Sequence, residues 1–453
     1  MRRLLRPASV ALVGASANVQ SLGGRALANL ERFPGRLYLV NPNTSEIRGR
    51  PCFASIASLP EPVDCVVLAI PAEGVEPVVR DCALAHTGAV VVFASGYAET
   101  GAAHGLAAQQ RLVQLADSGA MVLVGPNCVG VANLELGLYA AFAEFPISGH
   151  VPGCRVGLVS QSGALALSLS QAAHCGVSFS HVLTCGNSAD VDVADFVAFL
   201  AQESGCDAIA LVFEGLASSQ RLLEALRIAW SHGKRVALCK VGTSVLGRSA
   251  IAHHTATEPG PDTLLRALAA LPGVVLLERI EALVETAAFL AKAPAAAAPG
   301  VAVLSGSGGT GILAVDAAAR AGVPTPQPAA ATARRLVAAL PPFASPRNPC
   351  DATAQATRNP RSLLDCAQAL LEDPTYAALV IPWGRSQRPA MLTELGALGL
   401  RQRKPVCVVW MSPYVEADVQ TLAERHPGLA AFRSLDHCFT ALACWMRDVA
   451  GIE

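Results

Sequence analysis

Three short stretches of the chain pair small residues with hydroxyls in the way phosphate binding requires. Where a strand breaks at Ser and Gly and enters a helix, the first helical N–H groups lack intrahelical partners and point at the turn, which favours an anion there. The sequence does this at Gly14–Gly24 (GASANVQSLGG), at Ser160–Ala164 (SQSGA) and at Ser305–Gly311 (SGSGGTG). In the second turn Ser160, Gln161, Ser162 and Gly163 offer hydroxyls and N–H groups to a phosphoryl oxyanion, and Gly306, Ser307, Gly308 and Gly309 repeat the offer in the third. Two such cradles suit one phosphorylated group held between them. Read singly, each is also an ordinary tight strand–helix connection. The second turn lacks the Gly-x-Ser-x-Gly spacing of a hydrolase elbow. The first lacks Gly-x-Gly-x-x-Gly, and the next strand ends in Asn41-Pro42-Asn43 without the acidic residue that holds a dinucleotide ribose. NAD-dependent oxidoreduction is disfavoured accordingly.

Two further features carry chemistry. Glu214 closes the apolar run AIALVFEG, a place where packing gives no reason for a charge. Strand C-termini of open α/β sheets are where ligands bind, although a solvated strand-end carboxylate is the plain alternative. The segment Lys240–Asp262 (KVGTSVLGRSAIAHHTATEPGPD) is rich in Gly, Ser and Ala and reads as a mobile surface loop. It carries adjacent histidines, His253 and His254. No carboxylate or cysteine stands at metal-ligand spacing, so no metal is expected. A nucleophilic imidazole on a swinging loop is the sharper reading. Cys128, in Gly-Pro-Asn-Cys, reads as a buried structural thiol.

The elements that must position these groups alternate regularly. Short apolar runs at Ser9–Ser16, Leu37–Asn41, Asp64–Ile70, Ala89–Ser95 and Met121–Gly125 are separated by helical patterns, the grammar of a parallel doubly wound sheet. The pattern restarts at Arg155 and again at Val301, beyond the linker Lys292–Gly300 (KAPAAAAPG). Three α/β domains are therefore expected, over residues 1–147, 148–292 and 300–453. A chain of 453 residues is too long for one ordinary core, and a composition rich in alanine with 5% aromatics suits close helix–sheet packing. Lys plus Arg number 34 against 35 Asp plus Glu, without basic clusters, which argues against a nucleic-acid binder. The 14 cysteines are irregularly spaced, several inside apolar runs, and read as reduced buried thiols. No apolar run approaches membrane-spanning length, and a cytoplasmic protein that does not enter membranes is expected.

The order VGAS, VNPN, AIPAEGV, SGYAE, GPNCVG, SQSGAL, CGNSADVDVADF, EG and GRSAIAHHT resembles the NDP-forming acyl-CoA synthetases, which include ADP-forming acetate–CoA ligases and are related to succinyl-CoA synthetase. The likeness runs across nearly the whole chain, including NPCDATAQA (Asn348–Ala356). It implies an N-terminal Rossmann-like CoA-binding domain followed by two flavodoxin-like ligase domains. It implies that His254 carries phosphate, that Glu214 hydrogen-bonds that histidine and fixes its orientation, and that the helices opened by Ser160–Gly163 and Gly306–Gly309 hold the phosphohistidine. CoA contacts carried over by position are Gly14, Ser16, Asn41, Pro42, Ile70, Pro71, Ser95, Gly96 and Asn127, with Pro71 beside the adenine and Asn127 toward the thiol.

The activity so implied makes acyl-CoA from a small carboxylic acid, CoA and ATP, with ADP and phosphate as products. No ATP-grasp segment is recognisable, so ATP, ADP and Mg²⁺ are assigned to a separate ATP-grasp beta-type subunit. Two departures stand out: Ala256 replaces the usual glycine after His-Thr, and Thr257–Gly260 replaces the usual Ala-Leu-Ala-Gly, adding the like charge of Glu258. They keep open a second reading, a catalytically impaired CoA-binding regulatory or scaffold subunit.

Overall fold

Aliphatic runs that carry no alternation of polar residues belong in strands covered on both faces, and the described residues build three such sheets. The computed structural model describes residues 1–146, 151, 153–254, 262–353, 359–384 and 389–450, with the backbone alone at 249–250, 252–254, 262 and 448–450. The first sheet holds β1 (Ser9–Val13), β2 (Arg36–Val40), β3 (Glu46–Ile47), β4 (Arg50–Phe53), β5 (Cys65–Leu68), β6 (Ala89–Val92) and β7 (Val122–Val124), in the order β3-β4-β2-β1-β5-β6-β7. All its pairings are parallel except the β3–β4 hairpin.

The second sheet has the order β14-β13-β12-β10-β11-β8-β9. Its parallel strands are β10 (Arg155–Ser160), β11 (Ser178–Thr184), β12 (Ala208–Phe213), β13 (Arg235–Lys240) and β14 (Val274–Leu277). Two strands that precede the connection near residue 147, β8 (Gly130–Asn133) and β9 (Leu138–Ala141), extend it antiparallel. The third sheet, β16-β15-β17-β18-β19, is parallel throughout and comprises β15 (Gly300–Ser305), β16 (Cys350–Asp351), β17 (Tyr376–Trp383), β18 (Val406–Trp410) and β19 (Leu429–Phe432). The second and third sheets thus share the flavodoxin-like order 2-1-3-4-5 over their parallel strands.

One topological fact positions the chemistry. In each sheet the first parallel strand, β1, β10 or β15, lies between strands reached by connections running in opposite directions. Such switch points open a crevice at the strand C-termini. The three Gly/Ser turns are the segments that leave those three strands.

The sheets do not stand apart. One buried cluster runs from Leu4, Leu12 and Leu27 through Val131 to Phe196 and Leu238, and another from Val156 and Phe289 to Val303, Phe432 and Trp445. Polar staples fix these junctions: Asn133 Nδ2 donates to Leu5 O at 2.9 Å, and Trp445 Nε1 donates to Pro294 O at 2.7 Å. Eleven of the 14 cysteines are buried and all 14 are free thiols. Among the described residues no helix is long and apolar enough to cross a membrane.

Candidate active site

Glycine is required where β1 turns. Gly14 has φ +82°, and a Cβ there would stand 2.4 Å from Ala69 O and 2.7 Å from the Ile70 side chain. The turn after β1 therefore lies directly against the turn after β5, which carries Ile70 and Pro71. Pro71 precedes the helix Ala72–Leu84 as its N-cap residue. Asn41, at the end of β2, donates from Nδ2 to Ala15 O at 2.9 Å and fixes the same loop. Pro42 follows it, and Ser16 Oγ accepts from Asn18 N at 3.1 Å. Ser95 and Gly96 leave β6, where Gly96 (φ +106°) donates its N–H to Glu99 Oε1 at 2.5 Å. Asn127 leaves the turn after β7, its N–H on Ala94 O at 2.8 Å. The structure thus aligns every residue of the expected CoA set along one edge, the C-terminal ends of β2, β1, β5, β6 and β7.

That edge continues into a cavity of about 230 Å³ whose lining includes Asn127, Gln161, Ser162, Gly163, Asn187 and Glu214. Residues far apart in sequence meet here, and a mesh of amides holds them. Asn127 Nδ2 donates to Asn187 Oδ1 at 3.2 Å, and Asn187 Nδ2 donates to Gln109 Oε1 at 2.9 Å and to Glu99 Oε2. Burial pushes the Glu99 carboxyl up, but the N–H groups of Asn187, Gly96 and Tyr97 outweigh it and hold the acid below its ordinary value.

Glu214 is 8% exposed, and its peptide is clamped from both sides. Gln161 Oε1 accepts from Glu214 N at 2.8 Å and from Gly215 N at 3.0 Å, while Lys240 Nζ donates to Glu214 O and to Val241 O at 2.7 Å. Lys240 is buried beside the Phe213 ring, and burial draws its pKa down against the raising effect of Glu214. An ammonium fixed on carbonyls places a positive charge next to the site. Gln161, expected among the phosphate ligands, has its amide oxygen on these N–H groups and its own N–H on Val212 O. Ser160 Oγ donates to Ser162 O at 2.6 Å, and Ser162 Oγ caps Leu165 N at 3.4 Å. The helix Gly163–Ser170 begins at this point. Its start presses on Val129, since a Cβ on Gly163 would stand 2.2 Å from Val129 Cγ2.

The third-domain turn repeats the construction. Ser305 Oγ donates to Ser307 O at 2.7 Å, as Ser160 does to Ser162, and Ser307 precedes the helix Gly308–Arg320. Added Cβ atoms on Gly306 and Gly309 would meet nothing within 4 Å, so that rim is open. Asp351, on the adjoining strand, lies beside Gly308. This turn is on a different sheet and lends no side to the 230 Å³ cavity.

The segment read as a mobile loop is helical over Val245–His254. Ser244 explains the difference: its Oγ accepts from Gly247 N at 3.0 Å and its carbonyl from Arg248 N, and Ile251 is buried against Gly242. The helix packs on the short turn Ala98–Thr100, directly after Ser95 and Gly96. His254 is its last residue. The imidazoles of His253 and His254, and the altered stretch Ala256–Gly260, lie outside the described residues. Cys128 is buried, with its thiol pushed up to about 12 by desolvation and its Sγ on Val92 O at 3.3 Å. The bond from Lys240 to Glu214 O and the Asn187–Glu99–Gln109 mesh had no local sequence signal, since they join residues tens of positions apart.

Residues 8–133 match the CoA binding domain family, and residues 153–290 match the succinyl-CoA ligase like flavodoxin domain. A CoA-binding unit joined to succinyl-CoA-ligase-type flavodoxin units is the class that this fold defines. The chain is 31% identical to subunit alpha of ADP-forming acetate–CoA ligase I from Pyrococcus furiosus, over 79% of this chain and 77% of that subunit. It is 35% identical to ADP-forming acetate–CoA ligase I of Archaeoglobus fulgidus over 82% of its own length, and spans about half of that enzyme, 53%. The solved structure of dinucleotide forming acetyl-coenzyme A synthetase 1 from Ca. Korarchaeum cryptofilum, in complex with phosphate and ADP, superposes with a TM-score of 0.88 at 26% identity, covering 99% of this chain and 97% of that one. This chain belongs to the family of NDP-forming acyl-CoA synthetases.

Proposed function

We propose that the chain is the CoA-binding, histidine-phosphorylated part of an ADP-forming acid–CoA ligase, working with an ATP-grasp beta-type chain that holds ATP and Mg²⁺. The overall reaction joins a carboxylic acid and CoA at the expense of ATP, through an acyl phosphate. A phosphoryl group received on the His254 imidazole passes to the acid's carboxylate. The CoA sulfur then attacks the acyl carbon, a carbon–sulfur bond forms, and inorganic phosphate leaves with the oxygen that linked it. A covalent phosphohistidine divides one difficult transfer into two placed at separate sites.

The observation that carries this reading is the shared cavity. Asn127 from the CoA edge, the start of the helix Gly163–Ser170 and Glu214 line one space of about 230 Å³. The positive pole of that helix start suits phosphoryl oxygens, and Glu214 suits an imidazole that must be oriented and charged. The helix ending at His254 packs on the turn beside Ser95 and Gly96, within the same neighbourhood.

Run backwards, phosphate attacks the acyl carbon of acetyl-CoA and releases CoA, and the acetyl phosphate so formed hands its phosphoryl group to the imidazole. Acetyl phosphate added to the purified chain should therefore phosphorylate it, seen by intact-mass spectrometry at neutral pH. His254→Ala should abolish that phosphorylation and leave CoA affinity unchanged. Equal phosphorylation of wild type and His254→Ala would contradict the assignment.

A further inference from the structure

The cavity beside Glu214 has two unlike halves. The polar half, described above, accounts for carboxylate, thiol and phosphoryl groups. The other half is lined by Phe93, Cys128, Val129 and Phe142, and the transfer chemistry gives it no task.

Its walls are rigid and come from two sheets. Phe93 follows β6 and ties its N–H to Leu68 O at 3.3 Å; Phe142 follows β9 and ties its N–H to Val129 O at 3.3 Å. The buried amide of Asn29 donates from Nδ2 to Ala141 O at 2.7 Å and to Ala143 O at 2.9 Å, clamping the backbone on either side of Phe142. The two rings meet edge to face, with centroids 5.2 Å apart and planes at 75°. Phe93 is 5% exposed, whereas Phe142 is only half-buried. An edge-to-face pair of this kind presents a face or an edge to a third ring.

Volume points the same way. The space measures about 230 Å³ in all, and the part lined by the two phenylalanines is what remains for the acid's side chain beside the thiol and phosphoryl groups. An apolar half left void would forfeit its dispersion contacts. We propose that Phe93 and Phe142 form the acyl pocket of the ligase and that it takes an aryl carboxylic acid, the ring packed on the phenylalanine pair and the carboxyl directed at Asn127 and the start of the helix Gly163–Ser170. The proposal rests on the CoA-ligase reading and deepens it by naming the acid's class.

Calorimetric titration of the full chain with CoA, acetyl-CoA, butyryl-CoA and phenylacetyl-CoA tests it without any partner. Phenylacetyl-CoA should bind about tenfold or more tighter than acetyl-CoA, the effect of burying one ring. Phe142→Ala should remove that advantage while CoA itself binds within about twofold of wild type. Phe93→Leu, which keeps the wall apolar, should shrink the advantage and serves as the second variant if Phe142→Ala proves unstable. Equal affinities for all acyl-CoAs, an equal gain for butyryl-CoA, or a preference untouched by both substitutions would overturn the aryl pocket. Absence of CoA binding would strike the ligase reading itself, and the pocket's role with it.

Discussion

At the scale of single residues, Glu214 depends on neighbours that do no chemistry. Its N–H rests on Gln161 and its carbonyl on Lys240, so the backbone that carries the carboxylate is fixed before any substrate arrives. Gln161→Leu would leave the buried N–H groups of Glu214 and Gly215 unpaired, at about 1–3 kcal/mol for each. Urea unfolding should show a lower midpoint with an unchanged slope. Glu214→Gln keeps the side chain's shape and removes its charge. Phosphoryl transfer through His254 should fall by roughly a hundredfold, read as the rate at which acetyl phosphate phosphorylates the chain, while calorimetry finds CoA affinity unaltered. Glu214 was legible in the sequence because a charge at a strand end has no packing role. Lys240 was not, because a lysine closing a strand looks like any solvated end. Its distant partner, Glu214 O, becomes visible only when β12 and β13 are paired in register.

At the scale of elements, strands set the positions and glycines allow the close approaches. Gly14→Ala would force a Cβ to 2.4 Å from Ala69 O at a φ of +82°. It should cost about 1–3 kcal/mol and weaken CoA binding, both measurable on the purified variant. Three sheets, their order of appearance and their Gly/Ser turns were legible, since uninterrupted apolar runs between helical patterns leave few alternatives. The helix Val245–His254 was not. Its Gly and Ser content suggested a loop, but the hydroxyl of Ser244 caps it and Ile251 anchors it. Ser244→Ala should remove about 1 kcal/mol of that helix's stability, seen as faster amide exchange across Gly247–Ile251. The meeting of Asn127 with Asn187, 60 residues on, was equally beyond local reading.

At the scale of the whole molecule, the second and third sheets are joined by charged groups as well as by apolar packing. His437 Nδ1 lies 2.6 Å from Glu285 Oε1, and Arg433 N donates to Glu285 Oε2 at 3.0 Å. The bond to Glu285 raises the His437 pKa above its ordinary value, against the lowering effect of burial. A raised histidine pKa stabilises the folded chain fully below the unfolded value of about 6.5, and that gain is lost as pH rises through the folded value. The thermal midpoints of wild type and His437→Gln should therefore differ most in mild acid and converge in mild alkali. The same junction keeps the Ser305–Gly311 turn with the histidine-bearing domain, so both cradles remain in one body. The central claim is that this body accepts phosphate on His254. Incubating the chain with acyl-CoA and ³²P-labelled phosphate tests it most directly. The account predicts an acid-labile, base-stable label on the protein that His254→Asn abolishes; a label that survives His254→Asn, or none with acetyl-CoA and phenylacetyl-CoA alike, would contradict it.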